Sequence, residues 1–383
     1  MRKLFRTTAA VTAVSLALFP AAALAASPEF AHTQEEWAKL QDNTLEYGEL
    51  EDLIKEYNVT YRNNQGEYRE FIREYGTTNE EWSDAYRELA ADIYDQISGD
   101  DTASAMISDL NLEKQAEQME KQADEAVDDS ETYALKYEQA AKSLVATAQS
   151  RMMSYYGQKA AVELSETQNA LNQSSLALTQ AKVTAGMATQ MDLLDAEASI
   201  RNNDKSLSSA KTSLEQTRQK LIVMLGWKAG DQPEIGALPQ VTAEEISAID
   251  LNAGKEAALA NNYTLRINKK KLENSAQDSI TDSLKNTIED NEKQILLSVQ
   301  SSYDSLMAAK LSSDQAAVAN ETAKSQLAIA AAKLQAGMIT NLEYENQQYA
   351  AQSAQSAADS AAIDLLEAYE TYQWNVNGLA AAE

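Results

Sequence analysis

Between Pro28 and Pro233 the chain contains no proline, and after Pro239 it contains none to its end. Proline removes a backbone donor and its ring collides with the preceding turn, so long stretches without it are free to form unbroken helices. These stretches are also rich in Ala, Glu, Gln, Lys and Leu, the residues that cost least inside a helix. The expectation is an all-α protein with long helices. Cysteine is absent, so no disulfide contributes and packing alone must stabilise the chain.

A sequence repeat shows how the helices are arranged. AKVTAGMATQMDLLDAE starts at Ala181 and AKLQAGMITNLEYENQQ starts at Ala332, with Lys182/Lys333, Ala185/Ala336, Gly186/Gly337, Met187/Met338 and Thr189/Thr340 in register. Such self-similarity is read as an internal duplication. Gly186 and Gly337 each close a helical pattern, where glycine adopts the left-handed conformation that ends a helix. Thr189 and Thr340 stand three residues later as N-caps. Asp192 and Glu343 stand three further on, at capping-box spacing. One helix stops and another starts within a few residues, so the chain reverses twice at helical hairpin tips.

The arms carry a seven-residue apolar period. Leu193, Ile200, Leu207, Leu214 and Leu221 follow the first tip; Tyr344, Ala351, Ala358, Leu365 and Tyr372 follow the second. Val299, Leu306, Leu327 and Leu334 precede the second tip on one frame. A sustained heptad specifies left-handed coiled-coil packing. Arms of roughly 40 to 50 residues predict an elongated rod, a tandem duplication of antiparallel coiled-coil hairpins.

The ends and the charge bound the setting. Arg2, Lys3 and Arg6 precede an apolar stretch from Ala9 to Phe19, and Ala23-Leu24-Ala25 is a small-x-small cleavage site. Residues 1–25 are therefore expected to be a signal peptide, cleaved after Ala25, on a protein exported to the cell envelope: periplasm, cell wall or outer-membrane surface. No other stretch is apolar enough to span a bilayer as a helix. The formal net charge of −27 repels nucleic acid and anionic lipid, so neither is expected as a partner.

Four segments follow: the signal, a first helical repeat over 26–226, a Pro/Gly linker over 227–248 and a second repeat over 249–383. Both repeats open with a short amphipathic helix running into an Asn-hydrophobic-Thr step, at Asn58-Val59-Thr60 and Asn262-Tyr263-Thr264. The first repeat holds an acidic insertion at about 67–131, with twenty acidic residues against five basic ones. Its turn signals separate helical patterns, and nothing in it alternates long enough to form a membrane strand.

Together these features resemble the TolC-type outer-membrane efflux protein family, a tandem duplication in which each repeat supplies a coiled-coil hairpin. The family's tip pattern, Gly-x-x-[Ser/Thr]-x-x-Asp-hydrophobic-hydrophobic, is matched at Gly186 to Leu194 and less fully at Gly337 to Glu345. Leu221-Ile-Val-Met-Leu-Gly226 and Trp374-Asn-Val-Asn-Gly378 close the two copies, and Ala257 to Asn262 resembles the repeat-opening segment. The resemblance implies a trimeric tunnel that docks an adaptor protein and an inner-membrane transporter through its tips. It also implies a pair of strands in each repeat that build a membrane barrel. At the corresponding places, about 67–131 and 277–300, this sequence is helical or acidic, so a barrel-less relative is expected.

The candidate docking residues are Ala185, Gly186, Met187, Thr189 and Asp192 in the first tip, and Ala336, Gly337, Met338, Thr340 and Glu343 in the second. Capping chemistry alone accounts for all of them except the methionines, whose soft side chains suit an adaptable contact unless they pack on their own hairpin. In a trimer Asp192 and Glu343 would also form an acidic ring that favours cations. Catalysis is not expected: His32 is the only histidine, and no phosphate loop, nucleophile elbow or metal-ligand cluster occurs. No cofactor or metal is expected either. Asp100-Asp101 and Asp128-Asp129 lack the spaced ligands of a calcium loop and read as a solvated acidic face. An exported coiled-coil scaffold without transport activity is the alternative reading.

Overall fold

The structure is a computed structural model that describes residues 33–382; the expected signal peptide and His32 lie outside them. The chain divides into two compact units, one ending at Asp42 and containing α1 (Gln34–Leu40), the other running from Asn43 onward. The second unit opens with β1 (Thr44–Leu45), α2 (Leu50–Tyr57), α3 (Val59–Tyr75), α4 (Asn79–Tyr94) and α5 (Ala103–Asp124). The first long hairpin is α6 (Ser130–Thr184) and α7 (Gln190–Met224). A connection bearing β2 (Glu234–Ile235) and α8 (Ala243–Ser247) leads to α9 (Leu251–Asn261) and α10 (Tyr263–Asn274). The second long hairpin is α11 (Asp278–Gln335) and α12 (Asn341–Trp374), closed by a π-helical turn at Asn375–Leu379.

The outward helices α6 and α11 have 55 and 58 residues, the returning α7 and α12 only 35 and 34. At about 1.5 Å per residue the outward pair reaches roughly 80 to 90 Å. They outrun their partners because the short helices take over at the root, where α10 packs on both α6 and α11 and α9 packs on α11. The hairpins join each other along α6 and α12. The large buried side chains gather near the root: Met152 and Met153 on α6, Leu221 and Ile222 on α7, Ile295, Val299 and Leu306 on α11, Leu365 on α12. Toward the tips the heptad residues Ile200, Leu207, Leu214 and Leu327 are only half-buried.

Both roots are locked by a buried asparagine. Asn58 caps α3 by accepting from the Tyr61 N–H at 3.0 Å, and its amide donates to the Met224 carbonyl at the end of α7 at 2.8 Å. Asn262 caps α10 by accepting from the Leu265 N–H at 3.0 Å and donates to the Ala380 carbonyl, beyond α12, at 2.8 Å. Each asparagine thus ties the short helices before a long hairpin to the closing end of that hairpin. Gly226 and Gly378 complete the closures with φ of 102° and 111°. A Cβ on either would collide, with Tyr57 in the first and with the Asn261 carbonyl in the second.

At the two places where the family resemblance implies strands, the chain is helical. The interval 67–131 holds the rest of α3, then α4 and α5, while α11 starts at Asp278 and runs unbroken through 277–300. Among the described residues the only strands are β1 and β2, two residues each and paired in parallel. No helix of the described residues is long and apolar enough to cross a membrane. The acidic insertion is rooted electrostatically. Lys270 faces Asp129 and Glu131 at 3.6 and 3.1 Å, Lys271 faces Asp128 at 3.4 Å, and Asn274 donates to Asp129 at 2.9 Å. Asp129 also caps α6 through the Thr132 N–H at 2.9 Å. The Asp128-Asp129 pair, read from sequence as a solvated face, therefore works as a cap and a counter-charge.

Candidate functional site

The two tips are built from local chemistry alone. Helix α6 ends in a Schellman motif: the Gly186 N–H donates to the Val183 carbonyl at 3.0 Å and the Met187 N–H to the Lys182 carbonyl at 2.8 Å. At the end of α11, Gly337 donates to Leu334 at 2.9 Å and Met338 to Lys333 at 2.8 Å. Gly186 and Gly337 have φ of 71° and 69°, and no atom lies within 4 Å of where a Cβ would stand on either. Backbone conformation, not crowding, selects glycine here. Ala185 and Ala336 are the C-caps, each donating back one helical turn, to Ala181 and Ala332, at 3.0 Å.

The following helices start in capping boxes. The Thr189 hydroxyl accepts from the Asp192 N–H at 3.2 Å while the Asp192 carboxylate accepts from the Thr189 N–H at 2.7 Å. Thr340 and Glu343 repeat the box at 3.2 and 2.7 Å. The threonine backbone N–H holds both carboxyls below their ordinary pKa, with its hydroxyl adding to the effect. Both therefore stay ionised as pH falls, at the positive end of a helix dipole.

The structure thus places all ten candidate residues in two turns of closely matched geometry. It also decides how the methionines lie: Met187 is 73% exposed and Met338 71%, so neither packs on its own hairpin. Sequence reasoning passed over two neighbours. Met191 and Leu194 leave the first tip on exposed positions of α7, at 65% and 47%. Their register partners in the second tip are Leu342 and Glu345, which are half-buried. The first tip is therefore the more apolar. A comparison of the register positions, rather than of the shared motif, would have found this.

A second apolar surface was hidden in the sequence. On α11, Leu297, Met307, Leu311, Val318 and Ile329 are 63%, 42%, 60%, 68% and 56% exposed. At about 100° per residue they fall within a stripe roughly 80° wide, on a face roughly opposite the buried Val299 and Leu306. No helix of the described residues covers them. With Met187, Met191, Leu194 and Met338 at the tips, this stripe makes up most of the large apolar surface that the long hairpins leave to solvent among the described residues.

Two long antiparallel hairpins joined at their roots, with closely similar capped tips, define a TolC-type fold. The arrangement is shared with a membrane protein from Pseudomonas aeruginosa (TM-score 0.58, 12% identity, covering 88% of this chain and 91% of that one). It is shared also with the outer-membrane channel OprN (TM-score 0.56, 12% identity, 89% and 92% covered). The CmeC outer membrane channel of Campylobacter jejuni matches at a TM-score of 0.58 with 10% identity, covering 93% and 90%. No family model matches the sequence, and no curated protein matches it. At such identities the likeness is one of fold.

Proposed function

We propose that this chain is a TolC-like component of a cell-envelope efflux or export assembly, a passive, non-catalytic element whose copies associate side by side. The observation that carries this reading is the apolar stripe on α11. Large exposed apolar side chains that recur along one helix face, here interrupted by Asp304, Thr322 and Ser325, suit cover by a partner, and their largely heptad spacing fits another helix. Its face lies away from the chain's own core, so a neighbouring copy is the natural cover. Three copies would match the family that the tips resemble and would enclose a tunnel between the hairpins. The tips, with Met187 and Met338 outermost, would then form one ring for an adaptor protein. An inner-membrane transporter would supply the energy. Asp192 and Glu343 would add an acidic ring near the entrance.

A second reading has its own support. Helices occupy the places where the family resemblance implies barrel strands, which favours an exported coiled-coil scaffold that kept the fold without transport. The particle mass of the mature protein, with and without mild detergent, separates the two. A trimer that captures an adaptor from envelope membranes through its tips supports the conduit. A monomer at high concentration that captures none removes it and leaves the scaffold.

A further inference from the structure

The α4–α5 hairpin stands apart from the rest of the fold. At its root the hairpin meets α3, Tyr133 of α6, Gln277 and the residues around Asp128. Hydrogen bonds tie the hairpin at both its ends. Ser83 donates to the Ala123 carbonyl at 2.8 Å at the root. At the far turn the Asp109 carboxylate accepts from the Ser98 and Gly99 N–H groups at 3.1 and 2.9 Å. That braced turn sits beside an apolar corner. Met106, Ile107 and Leu110 of α5 are 61%, 65% and 50% exposed and lie within a sector roughly 100° wide. Single exposed apolar residues are ordinary, but three adjoining ones on a two-helix projection are not. The surroundings are acidic: Asp100, Asp101, Glu113 and Glu117 lie within two turns of the corner, and 79–124 holds thirteen acidic residues against three basic ones.

We propose that the free end of the α4–α5 hairpin is a docking surface for a cationic amphipathic helix of another protein, with Met106, Ile107 and Leu110 as its apolar seat and the flanking carboxylates as its charge partners. The occupant follows from charge complementarity. A second copy would bring its own excess of negative charge to the same place, and an anionic lipid surface would be repelled. A helix with an apolar stripe edged by Lys or Arg satisfies both parts of the surface, as helix-in-groove recognition does elsewhere. The hairpin springs from the N-terminal end of α6, opposite the Gly186 tip, so this surface is separate from the adaptor-docking reading above.

The test uses the mature full chain and a synthetic Leu/Lys amphipathic helical peptide, with a Leu/Glu peptide as control, followed by fluorescence anisotropy at low and physiological salt. Only the Leu/Lys peptide is expected to bind. Met106→Glu and Ile107→Glu are solvent-exposed changes expected to leave the thermal unfolding curve in place. Each is expected to weaken binding by about tenfold or more through loss of apolar contact. Adding negative charge strengthens a purely electrostatic attraction. Binding that is absent, or that is unchanged or tighter in these variants, overturns the proposal. A change of particle mass in Ile107→Glu without peptide overturns it as well, because it assigns the corner to a second copy. Amide-exchange protection confined to 103–113 in the peptide complex supports it; protection spread over other acidic surfaces counts against it.

Discussion

The two long hairpins share their turns and differ in their arms. Schellman motif and capping box agree between the tips within about 0.1 Å in the bonds quoted above. The returning helix of the first hairpin carries Ile200, Leu207 and Leu214, whereas that of the second carries Ala351, Ala358 and Leu365 at the matching heptad positions. On the outward helices the contrast reverses. Helix α11 exposes its apolar stripe, while on α6 only Leu178, at 38%, is an exposed large hydrophobic. Side chains that serve the turn are the same in both halves or, as with Asp192 and Glu343, chemically alike, and those that serve the outer surface are not. A surface present on one hairpin only cannot pair with its own counterpart on the other. In the ring proposed above it would meet a different face of the neighbour, a heterologous contact, whereas stripe against stripe would give a two-fold dimer instead.

The largest expected effect follows from that asymmetry. Leu311→Glu combined with Val318→Glu places two charges in the stripe and should weaken assembly by about a hundredfold or more, read as a fall to the monomer mass with unchanged helicity. Leu178→Glu on the first hairpin should change the mass far less. Equal effects would abolish the distinction between the hairpins. Next come the roots. Asn262 is fully buried and Asn58 is 7% exposed. Replacing Asn262 with alanine leaves a buried carbonyl unpaired and removes a cap, a loss of roughly 2 kcal/mol in urea unfolding. Asn58→Ala should lose somewhat less.

Smaller and equal effects are expected at the tips. Gly186→Ala and Gly337→Ala should each destabilise by about 1 kcal/mol, because both impose a left-handed conformation on a residue with a Cβ and neither meets a neighbour. A marked inequality would show that one tip is held by more than its turn. The smallest effect concerns acid. Asp192 and Glu343 have carboxyls held below their ordinary pKa by the Thr189 and Thr340 N–H groups, so their capping contribution is present above the unfolded-state pKa and is lost as pH falls through the lower folded value. Carboxyl NMR titration should place both below their ordinary values. Asp192→Asn and Glu343→Gln should remove that part of the acid sensitivity.

What was legible in the sequence is what is local. A glycine, a threonine and an acid at fixed spacing specify a turn whatever surrounds them, so the tips were readable residue by residue. The helical character of the insertion was readable too, from helical patterns set between turn signals, and in the structure Thr78 with Glu81 and Thr102 cap its two helices. The stripe on α11 was not. Leu297, Leu311 and Val318 repeat as regularly as Val299 and Leu306, and two interleaved heptads do not reveal which one the chain itself will cover. The difference between the tips was missed for a related reason: Met191 fills a position the tip pattern leaves open, and the pattern does not say whether Leu194 will be covered. The locking role of Asn58 and Asn262 depends on carbonyls more than a hundred residues away, which no window of sequence contains.

The short pairing of β1 with β2 has a consequence of its own. Thr44 stands opposite Glu234 and Leu45 opposite Ile235, and the Tyr156 hydroxyl secures the second strand by donating to the Ile235 and Gly236 carbonyls, 2.9 Å from each. Parallel neighbours lie about 4.8 Å apart, so the chain enters and leaves the first repeat at nearly one point. A module whose two ends meet can be spliced out, copied or reopened elsewhere without stretching what remains.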